Sequence, residues 1–145
     1  MRFIGLDLGT KSLGIALSDK TNLIATPYKT IHFNTNAYES VIKELTDIIL
    51  VNQITDIVLG LPKNMNNSLG FASERSLNFK EILEANFELP IHLVDERLST
   101  IEATNILLQS DMNRKKRKKV IDNVAASIIL DTYLKERRIK NENNG

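Results

Sequence analysis

The order in which strand and helix patterns follow one another along the chain restricts the fold to very few architectures. Three strand-like segments, residues 2–8, 12–19 and 23–32, are joined by connections too short to hold a helix, which predicts an antiparallel meander. Beyond residue 37 the two patterns alternate, with helices expected at 38–51, 71–86, about 100–109 and from a basic run to about 138, and strands at 54–59 and 91–94. A meander followed by such alternation predicts an α/β fold whose mixed five-stranded sheet is flanked by helices.

This order is typical of a ribonuclease H-like fold, and the chain length suits one copy of it. With 145 residues, we expect a single domain over residues 1–140 and a frayed, Asn-rich tail at 141–145. The chain has no cysteine and two histidines, so disulfides are excluded and a zinc site is not expected. No apolar stretch approaches the roughly 20 residues of a membrane span, and the first residues enter a strand rather than a signal peptide. We therefore expect a cytoplasmic protein without membrane contact.

An aspartate inside an apolar strand is the first candidate for chemistry. Asp7 lies within the segment Phe3-Ile4-Gly5-Leu6-Asp7-Leu8 and is followed directly by Gly9-Thr10-Lys11. Burying an unpaired carboxylate costs so much free energy that it normally becomes protonated, pairs with a cation or binds a metal. The structural alternative is that the amides of residues 9–11 satisfy this carboxylate.

Two further acidic sites lie in similarly apolar surroundings. Asp95 and Glu96 close a short strand, at the end where α/β proteins place their sites, and Asp122 lies in the apolar final helix. If the fold brings them near Asp7, the carboxylates would repel one another unless cations lay between them, and such oxygen ligands select Mg²⁺ or Mn²⁺. Because adjacent strand residues point to opposite faces, we do not expect Asp95 and Glu96 both to ligate directly. We prefer Glu96 as the ligand and keep Asp95 in reserve. Asp122 has an alternative role, in which it only complements the positive end of its helix.

Positive charge is concentrated in the last quarter of the chain. Residues 111–145 carry ten Lys or Arg against five Asp or Glu, whereas the first 110 residues carry nine against thirteen. Most of the excess comes from six consecutive cations, Arg114, Lys115, Lys116, Arg117, Lys118 and Lys119. Such a run predicts contact with nucleic acid, although a solvated helix start would have the same composition. Lys11, Arg97 and Lys119 are candidates for neutralising a scissile phosphate, while Arg97 could equally pair with an acidic neighbour.

Four motifs, in this order along nearly the whole chain, resemble the YqgF family of Holliday-junction-resolvase-like proteins, which are regarded as pre-16S rRNA nucleases. They are Gly5-Leu6-Asp7-Leu8-Gly9-Thr10-Lys11 with residues 14–19, Gly60-Leu61-Pro62 through Asn64-Met65 to Glu74-Arg75, Asp95-Glu96-Arg97-Leu98-Ser99-Thr100, and Asp122-Asn123-Val124-Ala125-Ala126. The resemblance implies a ribonuclease H-like fold and Mg²⁺-dependent phosphodiester hydrolysis. It also implies Asp7, Glu96 and Asp122 as the acidic positions that bind the metal and carry catalysis.

The chain departs from the pattern of this family in two places. After Met65 it has Asn66-Asn67 where the family tends to carry Asp-Gly, which removes a charge from that loop. After the fourth strand, where related junction resolvases carry a carboxylate, it has Leu61-Pro62, so the second ligand is expected from the Asp95-Glu96 pair.

The expected function is metal-dependent processing of the 5′ end of pre-16S rRNA, in contact with pre-rRNA or a ribosomal particle. The first alternative is a Holliday junction resolvase acting on DNA, and the second is a non-catalytic RNA or ribosome-assembly binding protein. A phosphotransferase is less favoured, because the resembling ATPases need two such domains around the nucleotide. The sequence shows no evident dimer face, so a monomer or weak homodimer is expected.

Overall fold

A single five-stranded sheet, with helices on both faces, forms the molecule in the computed structural model, which describes residues 1–62, 70–95 and 114–144. The elements are β1 (Phe3–Leu8), β2 (Ser12–Ser18), β3 (Ala25–His32), α1 (Glu39–Val51), β4 (Asp56–Leu61), α2 (Phe71–Asn86), β5 (Ile91–Asp95) and α3 (Arg114–Asn144). The strand order is β3-β2-β1-β4-β5. The mixed five-stranded sheet expected from the sequence is therefore confirmed.

Strand direction brings four strand ends to one side of the sheet. β2 pairs antiparallel with β1 and with β3, whereas β4 pairs parallel with β1 and with β5. Consequently β1, β3, β4 and β5 all point the same way. Their last residues, Leu8, His32, Leu61 and Asp95, define what we call the carboxyl edge. The opposite side, where these strands begin, is the amino edge.

The alternation of side chains along β1 divides the core into two clusters. Ile4, Leu6 and Leu8 pack in a large cluster that includes buried residues of α1 and α2. Phe3 belongs to a second cluster with apolar residues of α3, on the other face of the sheet. Because successive strand residues point to opposite faces, Gly5 and Asp7 lie on the α3 face with Phe3.

Helix α3 crosses the sheet at Gly5 and runs antiparallel to β1. A Cβ atom at Gly5 would lie 2.7 Å from Cβ of Leu130 and 3.0 Å from the carbonyl oxygen of Ala126, so only glycine allows this approach. Further along the helix, the Tyr133 ring lies 5.5 Å from the Phe3 ring, between centroids. Later residues of α3 therefore contact earlier residues of β1. The first turns of α3 consequently lie toward the carboxyl edge.

Three elements differ from the sequence prediction by two residues or more at an end. β4 spans Asp56–Leu61 instead of 54–59, because the Ile54 amide donates to the Ile49 carbonyl at 3.0 Å and so belongs to the turn that closes α1. β3 begins at Ala25, two residues late. α3 continues to Asn144, beyond the expected end near Arg138, because no Gly or Pro interrupts the helix there.

The predicted helix at about 100–109 lies outside the described residues. Among the helices that the structure does describe, none is both long and apolar enough to cross a bilayer.

Candidate active site at the carboxyl edge

Asp7 lies near the end of β1, on the sheet face that α3 covers. Its side chain is half-buried and takes part in local interactions. Gly14 of β2 is its partner on one side, and the pairing of Leu6 with Leu59 brings Gly60 of β4 next to it on the other. Two glycines as neighbours leave space on both sides of the carboxylate, at an edge where loops from several strands converge.

The end of β5 brings a second acidic segment to the same edge. In the parallel register of β4 and β5, Gly60 pairs with Val94 and Leu61 pairs with Asp95. Val94 is buried in the α3-face cluster, so the alternation of the strand puts Asp95, which is exposed, on the opposite face. Glu96 and Arg97, the two predicted site residues that follow, lie outside the described residues.

Helix α3 brings the third acidic position toward Asp7. Asp122 precedes Ala126 by four residues, about 6 Å along the helix axis, and Ala126 lies over Gly5. Asp7 follows Gly5 by two strand residues, about 6.6 Å in the same direction. The backbone at Asp122 therefore approaches the end of β1; its side chain lies outside the described part of the molecule.

Of the predicted basic residues, Lys11 has a described side chain, whereas the run Arg114–Lys119 has only a described backbone. Lys11 is exposed in the β1–β2 connection, and its carbonyl accepts a hydrogen bond from the Phe33 amide at 2.9 Å, which ties this connection to the end of β3. Lys11 therefore lies at the carboxyl edge with Asp7. The six cations Arg114–Lys119 form the first turns of α3, and the structure describes only their backbone.

The donor set suits a hard divalent cation. Where side chains are described, no three His, Cys, Asp or Glu residues cluster closely enough to hold a metal, and Asp7 is the only member of the predicted triad in that part. Carboxylate oxygens, with open space beside them, are the ligands that Mg²⁺ prefers. The residues present fit such an ion.

A cluster of polar and aromatic side chains around the buried Asp56, at the amino edge, was not predicted from the sequence. Asp56 is buried; it accepts a hydrogen bond from the Thr55 hydroxyl at 2.7 Å and lies 3.0 Å from Nε2 of His92. The His92 ring stacks on Tyr133 with 4.8 Å between centroids. Burial, reinforced by the charge of Asp56, raises the pKa of Tyr133. This cluster joins β4, β5 and α3 on the side away from Asp7, and no sequence pattern links residues 36 positions apart.

Comparison with known proteins identifies the family. The model of the family described as "RuvX: Holliday junction resolvase" matches residues 1–136. The chain belongs to the RuvX family. This confirms the expected membership, because RuvX and YqgF denote the same family. RuvX proteins are nucleases, and this chain is accordingly an enzyme that hydrolyses phosphodiester bonds.

Curated RuvX relatives match the chain over nearly its whole length. A protein of Geobacillus sp. strain WCH70 is 47% identical over 134 residues, which are 92% of this chain and 97% of that protein. A protein of Bacillus subtilis strain 168 is 46% identical over 134 residues, with the same coverage. Both carry the name "Putative pre-16S rRNA nuclease".

Solved structures of resolvases share the fold. "T. thermophilus RuvC in complex with Holliday junction substrate" has a TM-score of 0.58 at 14% identity and covers 95% of this chain and 96% of that one. A fowlpox virus resolvase in complex with Holliday junction DNA has a TM-score of 0.54 at 15% identity, with 94% and 98% covered. These likenesses confirm the ribonuclease H-like fold expected from the sequence.

Proposed function

We propose that this protein is a Mg²⁺- or Mn²⁺-dependent nuclease that processes the 5′ end of pre-16S rRNA, with Asp7, Glu96 and Asp122 as its metal ligands and catalytic residues. One observation carries the proposal: Asp7 is half-buried between two glycines at the end of β1, on the face from which α3 approaches. The choice of substrate is supported by the names of relatives that are 46–47% identical to this chain.

Each residue has a defined part in the proposed mechanism. Asp7, Glu96 and Asp122 would hold the ion from three separate elements. When bound, the ion supplies positive charge that lowers the pKa of a water and stabilises the leaving oxygen. Glu96 is preferred to Asp95 because the alternation of β5 puts Asp95 on the face away from α3. Lys11 and Arg97 would add charge beside the phosphate, while the run from Arg114 to Lys119 would hold the strand by contacts with its backbone.

The first test is cleavage by the purified protein with Mg²⁺ or Mn²⁺. The substrates are a 5′-extended rRNA precursor and a four-way DNA junction, each incubated with the wild type and with Asp7→Asn. We expect cleavage of the RNA to fall at least about 100-fold in Asp7→Asn, since the amide is a weaker ligand than the carboxylate. Asp47→Asn, which changes an exposed aspartate on α1, is the matched control and should cleave like the wild type.

Other outcomes of this experiment would favour the other candidate functions. Paired, symmetric nicks in the junction would identify a Holliday junction resolvase, a candidate favoured by the description of the family model. A resolvase must cut two strands, so it would also require a dimer, whereas a monomer or weak homodimer suits rRNA trimming. Binding of the RNA without metal-dependent cleavage would favour a non-catalytic assembly protein. Action on pre-rRNA would place the protein in the cytoplasm.

A further inference from the structure

A groove opens beside the first turns of α2, near the carboxyl edge. It consists of two adjoining cavities of about 240 and 390 Å³, which share Asn36 and Tyr38. The smaller cavity is also lined by Phe71, Glu74, Arg75 and Asn78, and we call it the Phe71 cavity. Pockets that enclose drug-sized ligands typically measure roughly 300–1,000 Å³, so the Phe71 cavity suits a single flat ring that remains attached to a longer molecule.

Phe71 forms an exposed aromatic rim on this cavity. Its side chain is 87% exposed, more than any other large hydrophobic side chain in the described part of the chain. A single exposed aromatic residue is not unusual in itself. The helix turn that carries this one is held in place, because the hydroxyl of Ser73, two residues later, is buried and donates to the carbonyl of Pro62, directly after β4. The backbone at Phe71 is thus anchored to β4.

A second wall of the cavity, formed by Tyr38, is held in place by packing. Tyr38 lies between two other aromatic rings, with 5.5 Å between its centroid and that of Phe33 and 5.2 Å to that of Phe79. The wall is therefore formed before any ligand arrives, and binding would order little besides the Phe71 ring. Preformed walls reduce the entropic cost of binding.

The polar groups of the cavity suit a neutral ring with hydrogen-bonding edges. Asn36 and Asn78 provide amides that both donate and accept, and Glu74 provides an acceptor. The charges of Glu74 and Arg75 cancel, which disfavours a phosphate as the occupant. An aromatic face beside amides is the arrangement with which proteins bind unpaired nucleobases.

We propose that the Phe71 cavity binds one unpaired nucleobase of a single-stranded segment of the substrate, stacked on the Phe71 ring, with its edge facing Asn36 and Asn78. This inference rests on the proposed function, to which it adds that the substrate has a single-stranded segment that reaches the α1 and α2 side of the sheet, the face opposite Asp7. Because stacking recognises the π-face of any base, the cavity accepts single-stranded RNA or DNA and rejects a blunt duplex, in which bases are unavailable.

The test measures binding by protein that carries Asp7→Asn, so that cleavage does not interfere. Fluorescence anisotropy compares three labelled probes: a short single-stranded RNA, a DNA of the same sequence and a blunt RNA duplex. We expect Phe71→Ala to weaken binding of the single strands about tenfold, in line with the effect of removing one stacking residue, and to leave binding of the duplex unchanged. Phe71→Tyr should bind as tightly as the parent. Equal losses of affinity for RNA and DNA would support stacking on any base. A loss confined to RNA would contradict the binding of DNA in this cavity and indicate contacts to the ribose instead.

Two matched controls test whether the position matters rather than the loss of an exposed side chain. Tyr28→Ala removes an exposed aromatic residue of β3, and Val51→Ala removes the 79% exposed side chain at the end of α1. Neither should change the affinity for single strands. The temperature of thermal unfolding should be unchanged in Phe71→Ala and Val51→Ala, whose side chains are mostly exposed, and slightly lowered in Tyr28→Ala, whose side chain is 47% exposed within a strand.

A direct readout locates the stacked base. Photocrosslinking of single strands that carry 5-iodouracil, followed by mass spectrometry, should modify Phe71. Unaltered affinity in Phe71→Ala, or crosslinks only elsewhere, would overturn the inference. If the wild type cleaves no substrate while Phe71-dependent binding persists, the nuclease proposal fails and the cavity assignment stands. If the protein cleaves in a metal-dependent way but its binding does not depend on Phe71, the cavity assignment fails and the nuclease proposal stands.

Discussion

Single residues differ in how clearly the sequence reveals their roles. Asp7 could be found because one carboxylate interrupts an otherwise apolar strand, and the structure shows it half-buried on the α3 face. No sequence pattern indicates the hydrogen bond from Ser73 to Pro62 or the contact between Asp56 and His92. Each joins residues that are distant in the chain and individually ordinary. Local periodicity identifies the face on which a side chain lies and not the partner that it meets.

Asp19 gives a test of pH dependence at the residue scale. Its carboxylate accepts hydrogen bonds from the Thr21 hydroxyl at 2.6 Å and from the amides of Leu23 and Ile24 at 3.0 and 3.2 Å, in the turn between β2 and β3. The bond from Thr21 is the main reason that the pKa of Asp19 lies below its ordinary value of 3.8. A lowered folded-state pKa stabilises the fold above the unfolded-state pKa, and this stabilisation is lost as pH falls through the folded-state pKa.

We therefore expect Asp19→Asn to lower the melting temperature at pH 7 by more than it does at pH 3. Differential scanning calorimetry at a series of pH values measures this difference. Thr21→Val, which removes the strongest of the three bonds, should show a smaller deficit that also shrinks toward low pH. A deficit in Asp19→Asn that stays constant between pH 7 and pH 3 would contradict this account.

At the scale of elements, the contact between α3 and the sheet controls the geometry of the candidate site. Gly5→Ala would introduce a Cβ atom 2.7 Å from that of Leu130, so the helix would have to move away from β1. We expect this variant to lose about 1–3 kcal/mol of unfolding free energy, measured by urea denaturation. Gly9→Ala is the matched control, because its Cβ would meet the side-chain oxygen of Ser12 at 3.1 Å, which can rotate away.

The same displacement should also affect cleavage. Asp122 belongs to α3, so moving the helix would shift its backbone relative to Asp7. Under the proposed mechanism, Gly5→Ala should therefore cleave more slowly than the wild type even at temperatures where it is fully folded. Wild-type stability of Gly5→Ala in urea would show that the helix does not approach the sheet as closely as described.

The order and type of the elements could be predicted, whereas their ends could not. Apolar periodicity is continuous across Ile54 and into β4, yet the Ile54 amide is used by the turn after α1. Phe71 was expected only as the start of a helix, because its exposure depends on how α2 is anchored to β4. Both differences arise from hydrogen bonds between elements, which no single segment of the sequence specifies.

At the scale of the whole molecule, the distribution of charge predicts how binding depends on salt. The cations of the basic run open α3, at the end of the helix that lies toward the carboxyl edge. Each phosphate contact in a single strand contributes a slope of about −0.7 to a plot of log affinity against log salt. Changing Lys115, Lys116 and Lys118 to Gln should reduce the magnitude of this slope by up to about 2 for single-stranded RNA.

The control for this experiment changes the net charge by the same amount elsewhere. Lys20, Lys43 and Lys140 are all exposed and lie outside the run, so their replacement by Gln should leave the slope nearly unchanged. Anisotropy titrations measure the slope for both variants between about 50 and 200 mM salt, the range over which the salt dependence of affinity is large. Equal slopes in the two triple variants would mean that binding responds to overall charge and that the run makes no phosphate contacts.

The position of α3 after all five strands also has a consequence for synthesis of the protein. The helix contacts every strand, and buries the cluster that contains Phe3, Val58 and Val94. While the ribosome makes the chain, this apolar sheet face stays uncovered until the helix has emerged, although the α1 and α2 side can already pack. A nascent chain is therefore prone to aggregation at this stage. Under the proposed mechanism, in which Asp122 of this helix belongs to the acidic site, strand cleavage can begin only after the helix that protects the sheet has docked.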